Sequence, residues 1–93
     1  MNLSIVIPVL NEAAQIGPAL EALSPLRRNG AELIVVDGGS ADGTPGLAQP
    51  FADQVIAAPR GRAEQMNAGA SKAGGDVLLF VHADTRLPDG AAH

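Results

Sequence analysis

Four short apolar runs constrain this chain more than anything else in it: Leu3-Ser4-Ile5-Val6-Ile7, Glu32-Leu33-Ile34-Val35-Val36, Gln54-Val55-Ile56-Ala57 and Val77-Leu78-Leu79-Phe80-Val81. Each is bounded by Gly, Pro or Asp and is of strand length. A strand with one wet face alternates apolar and polar residues; these runs are continuous, so both faces are expected to be covered, as in a parallel sheet between helices.

The segments between the runs supply the helices. Asn11 is placed to cap a helix in which Ile16, Leu20 and Leu23 share a face and which Pro25 is expected to end. Thr44-Pro45 has the form of a short helix start, stopped by Pro50. Arg62 to Ala73 carries Ala63, Met66, Ala70 and Ala73 at helical spacing, with Gly74-Gly75 to supply a left-handed terminating residue. Strand and helix alternate through to the fourth strand. The predicted fold class is therefore α/β, a Rossmann-like half-sheet of four mainly parallel strands with right-handed helical crossovers.

The chain has 93 residues and ends just past Leu87-Pro88-Asp89-Gly90, with no helix to cover the fourth strand. It is expected to be one domain, residues 1–93, truncated, and marginal alone, since a chain of this size buries only about 60–65% of its unfolded surface. The apolar content is almost wholly aliphatic, with Phe51 and Phe80 the only aromatic residues, which suits close helix-on-sheet packing. A net charge of -4 with no basic block excludes nucleic acid as a partner, and Arg27-Arg28 reads as a solvated helix end. Cysteine is absent, so neither a disulfide framework nor thiolate chemistry is available. Met1-Asn2 carries no positive leader, and the stretch from Leu3 to Leu10 is too short to span a bilayer. A cytoplasmic location is the expectation.

The unusual polar residues fall at the carboxyl ends of the strands, where open α/β sheets bind ligands: Pro8 to Glu12, Asp37 to Ser40, Arg60 and Arg62, and His82 to Thr85. The opposite rim has only turn residues, Asn29-Gly30, Asp53 and Gly74-Gly75-Asp76. Asp37-Gly38-Gly39-Ser40 allows a sharp turn under a ligand, with a carboxylate free to accept from a base or ribose. The same residues read equally well as a glycine turn in which Asp37 caps its own backbone. Arg60-Gly61-Arg62 lies at a loop-to-helix junction, where a guanidinium can meet a diphosphate or a base edge, or remain a surface charge. Asn67, unexpected in mid-helix, is expected to serve structure.

His82, Ala83 and Asp84 place imidazole nitrogen and carboxylate oxygen together at a strand end. That donor pair suits Mn²⁺ or Mg²⁺ when pyrophosphate oxygens and waters complete the shell, whereas zinc demands more protein ligands. No G-x-x-x-x-G-K-[ST] or G-x-G-x-x-G loop is present. Residues 37–43 fail as a calcium loop, because Gly39 and Ala41 stand where oxygen ligands are needed.

Three segments together, Ser4-Ile5-Val6-Ile7-Pro8-Val9-Leu10-Asn11-Glu12, Glu32 to Ser40 and Gly74 to Thr85, resemble glycosyltransferase family 2, the GT-A nucleotide-sugar enzymes. His-Ala-Asp-Thr-Arg-Leu-Pro is especially similar to a bacterial subgroup. The resemblance implies that Pro8, Val9, Leu10, Asn11 and Glu12 line the nucleoside pocket and that Asp37 holds the base, with Gly38, Gly39 and Ser40 beside it. It further implies that Arg62 flanks the base or diphosphate, that Ala83 lies in the donor site and that Asp84 binds the divalent metal. The family's motif is D-x-D, and His82 replaces the first aspartate, as a metal ligand or a sugar hydrogen-bond partner. The implied chemistry is displacement at the anomeric carbon of a nucleoside-diphosphate sugar, UDP-sugar by expectation, usually with inversion.

The same resemblance places the general base and acceptor surface beyond His93, so that the chain carries the nucleotide-sugar-binding half and is inactive alone. The acceptor is undefined, a glycan, lipid or small molecule, which leaves room for peripheral membrane association of a full-length protein. Two rivals are a sugar-phosphate nucleotidyltransferase-like enzyme, which wants a Gly- and Arg-rich loop where Val9-Leu10-Asn11-Glu12 stands, and a non-catalytic nucleotide-binding fragment.

Overall fold

The computed structural model describes residues 2–83. Its elements are β1 (Leu3–Val9), α1 (Ala13–Arg28), β2 (Glu32–Asp37), α2 (Thr44–Ala48), a 3₁₀ turn (Gln49–Phe51), β3 (Gln54–Ala57), α3 (Arg62–Lys72) and β4 (Val77–Phe80). The strands form one sheet in the order β3-β2-β1-β4, and every pairing is parallel. The predicted α/β class and helical crossovers are what the chain adopts. Among the described residues no helix is long and apolar enough to cross a membrane.

The two faces of the sheet are packed differently. Ile5, Ile7, Val9, Leu33 and Val35 meet Ile16 and Leu20 of α1 and Ala48 of α2. Val6, Ile34 and Val36 form the other face, against Ala68 and Ala73 around α3. Gly69 lets α3 come close there: a Cβ on it would lie 2.3 Å from Val6 Cγ1 and 3.0 Å from Val36 Cγ2. The expected stripe of Ala63, Met66, Ala70 and Ala73 is not the buried one, since Gln65 and Gly69 are the buried residues of α3. The close contact at Gly69 turns the helix so that Gln65 and Gly69 face the sheet most directly, with Ala68 and Ala73 packing beside them.

Four helix boundaries differ from expectation. Glu12, not Asn11, is the N-cap residue of α1, and the helix runs through Pro18 and Pro25 to Arg28. Proline at 25 leaves the Glu21 carbonyl without its usual donor, and the Ser24 hydroxyl donates to it at 2.8 Å. The helix ends instead at Gly30, with φ +101°, where Gly30 N–H reaches Arg27 O and Ala31 N–H reaches Leu26 O, both at 3.0 Å. Pro50 does not stop the second helix; α2 ends at Ala48 and Pro50 sits inside the following 3₁₀ turn. Gly74 and Gly75 are not left-handed, and α3 is closed by Ala73 in an extended conformation. Gly75 is small for another reason: a Cβ there would lie 2.6 Å from Ser4 Oγ.

β4 stops one residue short of the predicted run and is not covered. Val77, Leu78, Leu79 and Phe80 are each 39–44% exposed. This edge strand pairs with β1 alone, and α3 packs on β1 and β2 instead.

Candidate donor-binding site

The sheet order puts β2 on one side of β1 and β4 on the other, so the switch in chain direction around the sheet falls at the carboxyl end of β1. A cleft of about 150 Å³ opens there, lined by Pro8, Val9, Leu10, Glu12, Arg62, Gln65 and His82. Residues from β1, from the loop after it, from the start of α3 and from the end of β4 thus meet in one place. Six of the seven were expected there from sequence.

Asn11 and the glycine loop do not line the cleft; they are bonded to each other beside it. Asn11 adopts φ +51°, a left-handed conformation that asparagine tolerates. Its backbone N–H donates to Ser40 Oγ at 2.8 Å, and its Oδ1 accepts from Ala41 N–H at 2.8 Å. One residue on, Glu12 N–H donates to Thr44 Oγ1 at 2.9 Å, and Ala13 N–H to Asp42 Oδ2 at 3.0 Å. The loop after β2 therefore satisfies the first backbone donors of α1, the capping that Asn11 was expected to provide. Asp42 is held below the ordinary aspartate range, first by the Thr44 hydroxyl and then by the Ala13 amide.

Asp37 is buried and organises its own turn. Its Oδ2 accepts from Gly39 N–H at 3.0 Å and Ser40 N–H at 2.9 Å, and its Oδ1 from the Ser40 hydroxyl at 2.5 Å. This is the self-capping geometry, and it uses three of the roughly four acceptor positions of a carboxylate. Gly39 has φ +103°, which only glycine adopts without strain. Gly38 is closely packed instead, since a Cβ there would lie 2.9 Å from the Gln65 amide.

Arg62 and Arg60 are both exposed, but Arg62 lines the cleft and Arg60 does not. His82 is half-buried on the cleft wall, and Ala83 is buried beneath it. Asp84, Thr85 and the rest of that motif lie outside the described residues. Among the described residues no three His, Cys, Asp or Glu side chains are gathered tightly enough to hold an ion by themselves. Asn67 is exposed on α3.

The residue that sequence reasoning missed is Gln65. Its Nε2 donates to Val9 O and Val36 O, both at 2.9 Å, tying α3 to the ends of two strands. Its spacing places it on the same helix face as Gly69, four residues on, but nothing along the chain names its partners on β1 and β2.

Residues 4–92 match the model of glycosyl transferase family 2. A PGL/p-HBAD biosynthesis glycosyltransferase of Mycobacterium bovis is 37% identical over 91 residues, covering 90% of this chain and 36% of that protein. Glucosyl-3-phosphoglycerate synthase of Mycolicibacterium smegmatis is 33% identical over 98 aligned positions, covering 95% of this chain and 32% of that protein. The chain thus spans about a third of the length of these relatives.

Among solved structures, glucosyl-3-phosphoglycerate synthase of Mycobacterium tuberculosis, in complex with Mn²⁺, UDP and glucosyl-3-phosphoglycerate, superposes with a TM-score of 0.82 at 30% identity, over 94% of this chain and 35% of that one. A mannosyltransferase of Pyrobaculum calidifontis, in complex with GDP-mannose and Mn²⁺, gives 0.80 at 28% identity, over 92% and 28%. On the match of residues 4–92, the chain belongs to glycosyltransferase family 2.

Proposed function

We propose that this chain is the nucleotide-sugar-binding part of a metal-dependent glycosyltransferase, with a UDP-sugar as donor. The observation that carries the reading is the convergence of Pro8, Val9, Leu10, Glu12, Arg62 and His82 on one cleft at the sheet's switch point, in a chain of this family. The solved relatives hold UDP or GDP-mannose with Mn²⁺.

Each residue has a role that follows from its place. The apolar end of β1, Pro8 to Leu10, gives a nucleoside a flat wall, and the Asp37 turn, with one acceptor position left, offers the base a hydrogen-bond partner. Arg62 meets the diphosphate with a planar, permanently charged fork. His82 and Asp84 would hold Mn²⁺ or Mg²⁺. The described donors fit such an ion: one imidazole beside the cleft, with nucleotide oxygens completing a shell that a hard cation shares readily with phosphate. When bound, the cation neutralises charge on the departing diphosphate. A general base and an acceptor surface lie outside this segment in the reading proposed, and inversion at the anomeric carbon is its expected outcome.

Calorimetric titration of UDP and GDP in the presence of Mn²⁺ tests the reading. Binding of UDP that is lost in D84A is the expected result. Absence of nucleotide binding, or binding unchanged in D84A, would refute it.

A further inference from the structure

Gln65 is 6% exposed, yet it forms part of the cleft wall. A buried carboxamide must find partners for all its polar atoms. Its two donated bonds go to the last carbonyl of β1 and the penultimate carbonyl of β2. The Val9 carbonyl already accepts Gly38 N–H at 3.0 Å, so the sheet does not need Gln65 to satisfy it. The carboxamide also occupies the space that a Cβ at Gly38 would need.

The start of α3 explains what the side chain is for. The helix begins at Gly61, with φ +137°, and no side chain caps it. An uncapped first turn frays easily. Gln65 ties that turn down: its Nε2 anchors it to both strands, while its Oε1 reaches back to Gly61 N–H at 3.4 Å, a long contact. Arg62 lies in the same turn, three residues earlier, and both residues line the cleft. An exposed arginine loses much rotamer freedom on binding an anion, and a wandering helix start would add to that loss.

We infer that Gln65 is a positioning residue of the donor site: it docks the first turn of α3 on the ends of β1 and β2 and so fixes where the Arg62 guanidinium meets the donor. The inference rests on the donor reading above for its ligand and goes beyond it in naming how the cation is held. Its consequence is energetic coupling between two residues that no hydrogen bond joins.

The test is a double-mutant cycle on UDP affinity in the presence of Mn²⁺, using the full chain as wild type, R62A, Q65M and R62A/Q65M, with the thermal midpoint of each. Methionine conserves length and apolar volume while removing both donors. R62A and Q65M are each expected to weaken binding about tenfold, and the double variant to stay close to R62A rather than reach the roughly hundredfold loss of independent sites. Q65M that lowers the thermal midpoint and leaves UDP affinity unchanged, or losses that multiply, would overturn the inference while leaving the donor reading intact. Wild type that binds no UDP overturns the donor reading, and this inference with it.

Q65E gives a second readout. Its carboxyl can donate to one strand carbonyl only while protonated, and burial beside two carbonyls favours that form. Affinity relative to wild type is therefore expected to be better at pH 5 than at pH 8. A ratio that does not change with pH counts against the inference.

Discussion

The N–H of Val81 reaches the carbonyl of Val6 at 3.0 Å, and that bond is the last rung between β4 and β1. Along a strand, alternate residues present their N–H and C=O to the same side, so position 8 faces β4 as Val6 does. Position 8 is Pro8, which has no N–H to offer the next carbonyl of β4. Proline in a central strand ordinarily costs a ladder bond. Here the missing bond lets β4 part from β1 where the cleft begins, and Pro8 and His82 both line that cleft.

P8A is accordingly expected to extend the ladder by one rung and to narrow the cleft. The new amide at position 8 should exchange with solvent more than about tenfold slower than an unstructured amide, and UDP affinity should fall. An amide at that position with the exchange rate of an open loop would show that proline is not what ends the ladder.

Asn11 lies in the Pro8-Val9-Leu10-Asn11-Glu12 segment, yet its geometry is that of a staple between the loops after β1 and β2. N11A loses the bond to Ala41 N–H and places a Cβ residue without a local polar partner at φ +51°. A loss of about 1–2 kcal/mol in urea denaturation is expected, combining a hydrogen bond and left-handed strain. N11G keeps the permitted backbone and should recover part of it. Equal losses in both variants would mean that the backbone conformation contributes nothing.

How much of this was legible beforehand follows from what each residue's neighbours are. Four strands, their parallel arrangement and the rim on which Pro8, Arg62 and His82 gather were readable because apolar runs and strand-end placement are local properties. The β4 surface was misread because a continuous apolar run says that cover is needed, not that it is present among these residues. Asn11, Gly69 and Gln65 were illegible for a common reason. The partner of each lies more than 25 residues away in sequence, at Ala41, Val6 and Val36, and no spacing along the chain encodes it.

Gly69 offers a clean packing test. Alanine favours a helix over glycine by about 1 kcal/mol, but its methyl would drive into Val6, and overpacking of a rigid core costs about 1–3 kcal/mol. G69A is expected to be destabilising on balance. In a V6A background the closest contact is removed and only the 3.0 Å approach to Val36 Cγ2 is left, so the same G69A change should cost markedly less. A cost that persists undiminished in that background would locate the strain elsewhere.

Acid sensitivity is expected to arise at the rim opposite the cleft. Glu32 is held below the ordinary glutamate range, first by the Gly74 amide and then, against a burial penalty, by the Ser4 hydroxyl and Gln54. Those bonds link β1, β2 and the turn before β4. A carboxylate with a depressed folded-state pKa adds stability that is present above its unfolded value, about 4.3, and is lost as pH falls through the lower folded value. E32Q should therefore flatten the fall of the urea midpoint below about pH 4.5. An unchanged slope would assign acid unfolding to other carboxylates.

In the function proposed here His82 takes the place of the family motif's first aspartate, and the choice between metal ligand and sugar partner has a measurable signature. Chelation of the metal is expected to weaken UDP binding by about tenfold or more if the diphosphate shares the cation's shell. If the imidazole ligates, H82A should weaken Mn²⁺ binding in the presence of UDP by at least the roughly 10–100-fold that loss of even an outer-shell partner of a ligand costs. H82D should restore binding, because the substitution returns a hard oxygen to the same strand end. Imidazole favours Mn²⁺ and carboxylate accommodates Mg²⁺, so the wild type should discriminate between the two ions more strongly than H82D does. Equal discrimination in the two proteins, with Mn²⁺ affinity untouched in H82A, would take His82 out of the metal shell and leave it facing the sugar.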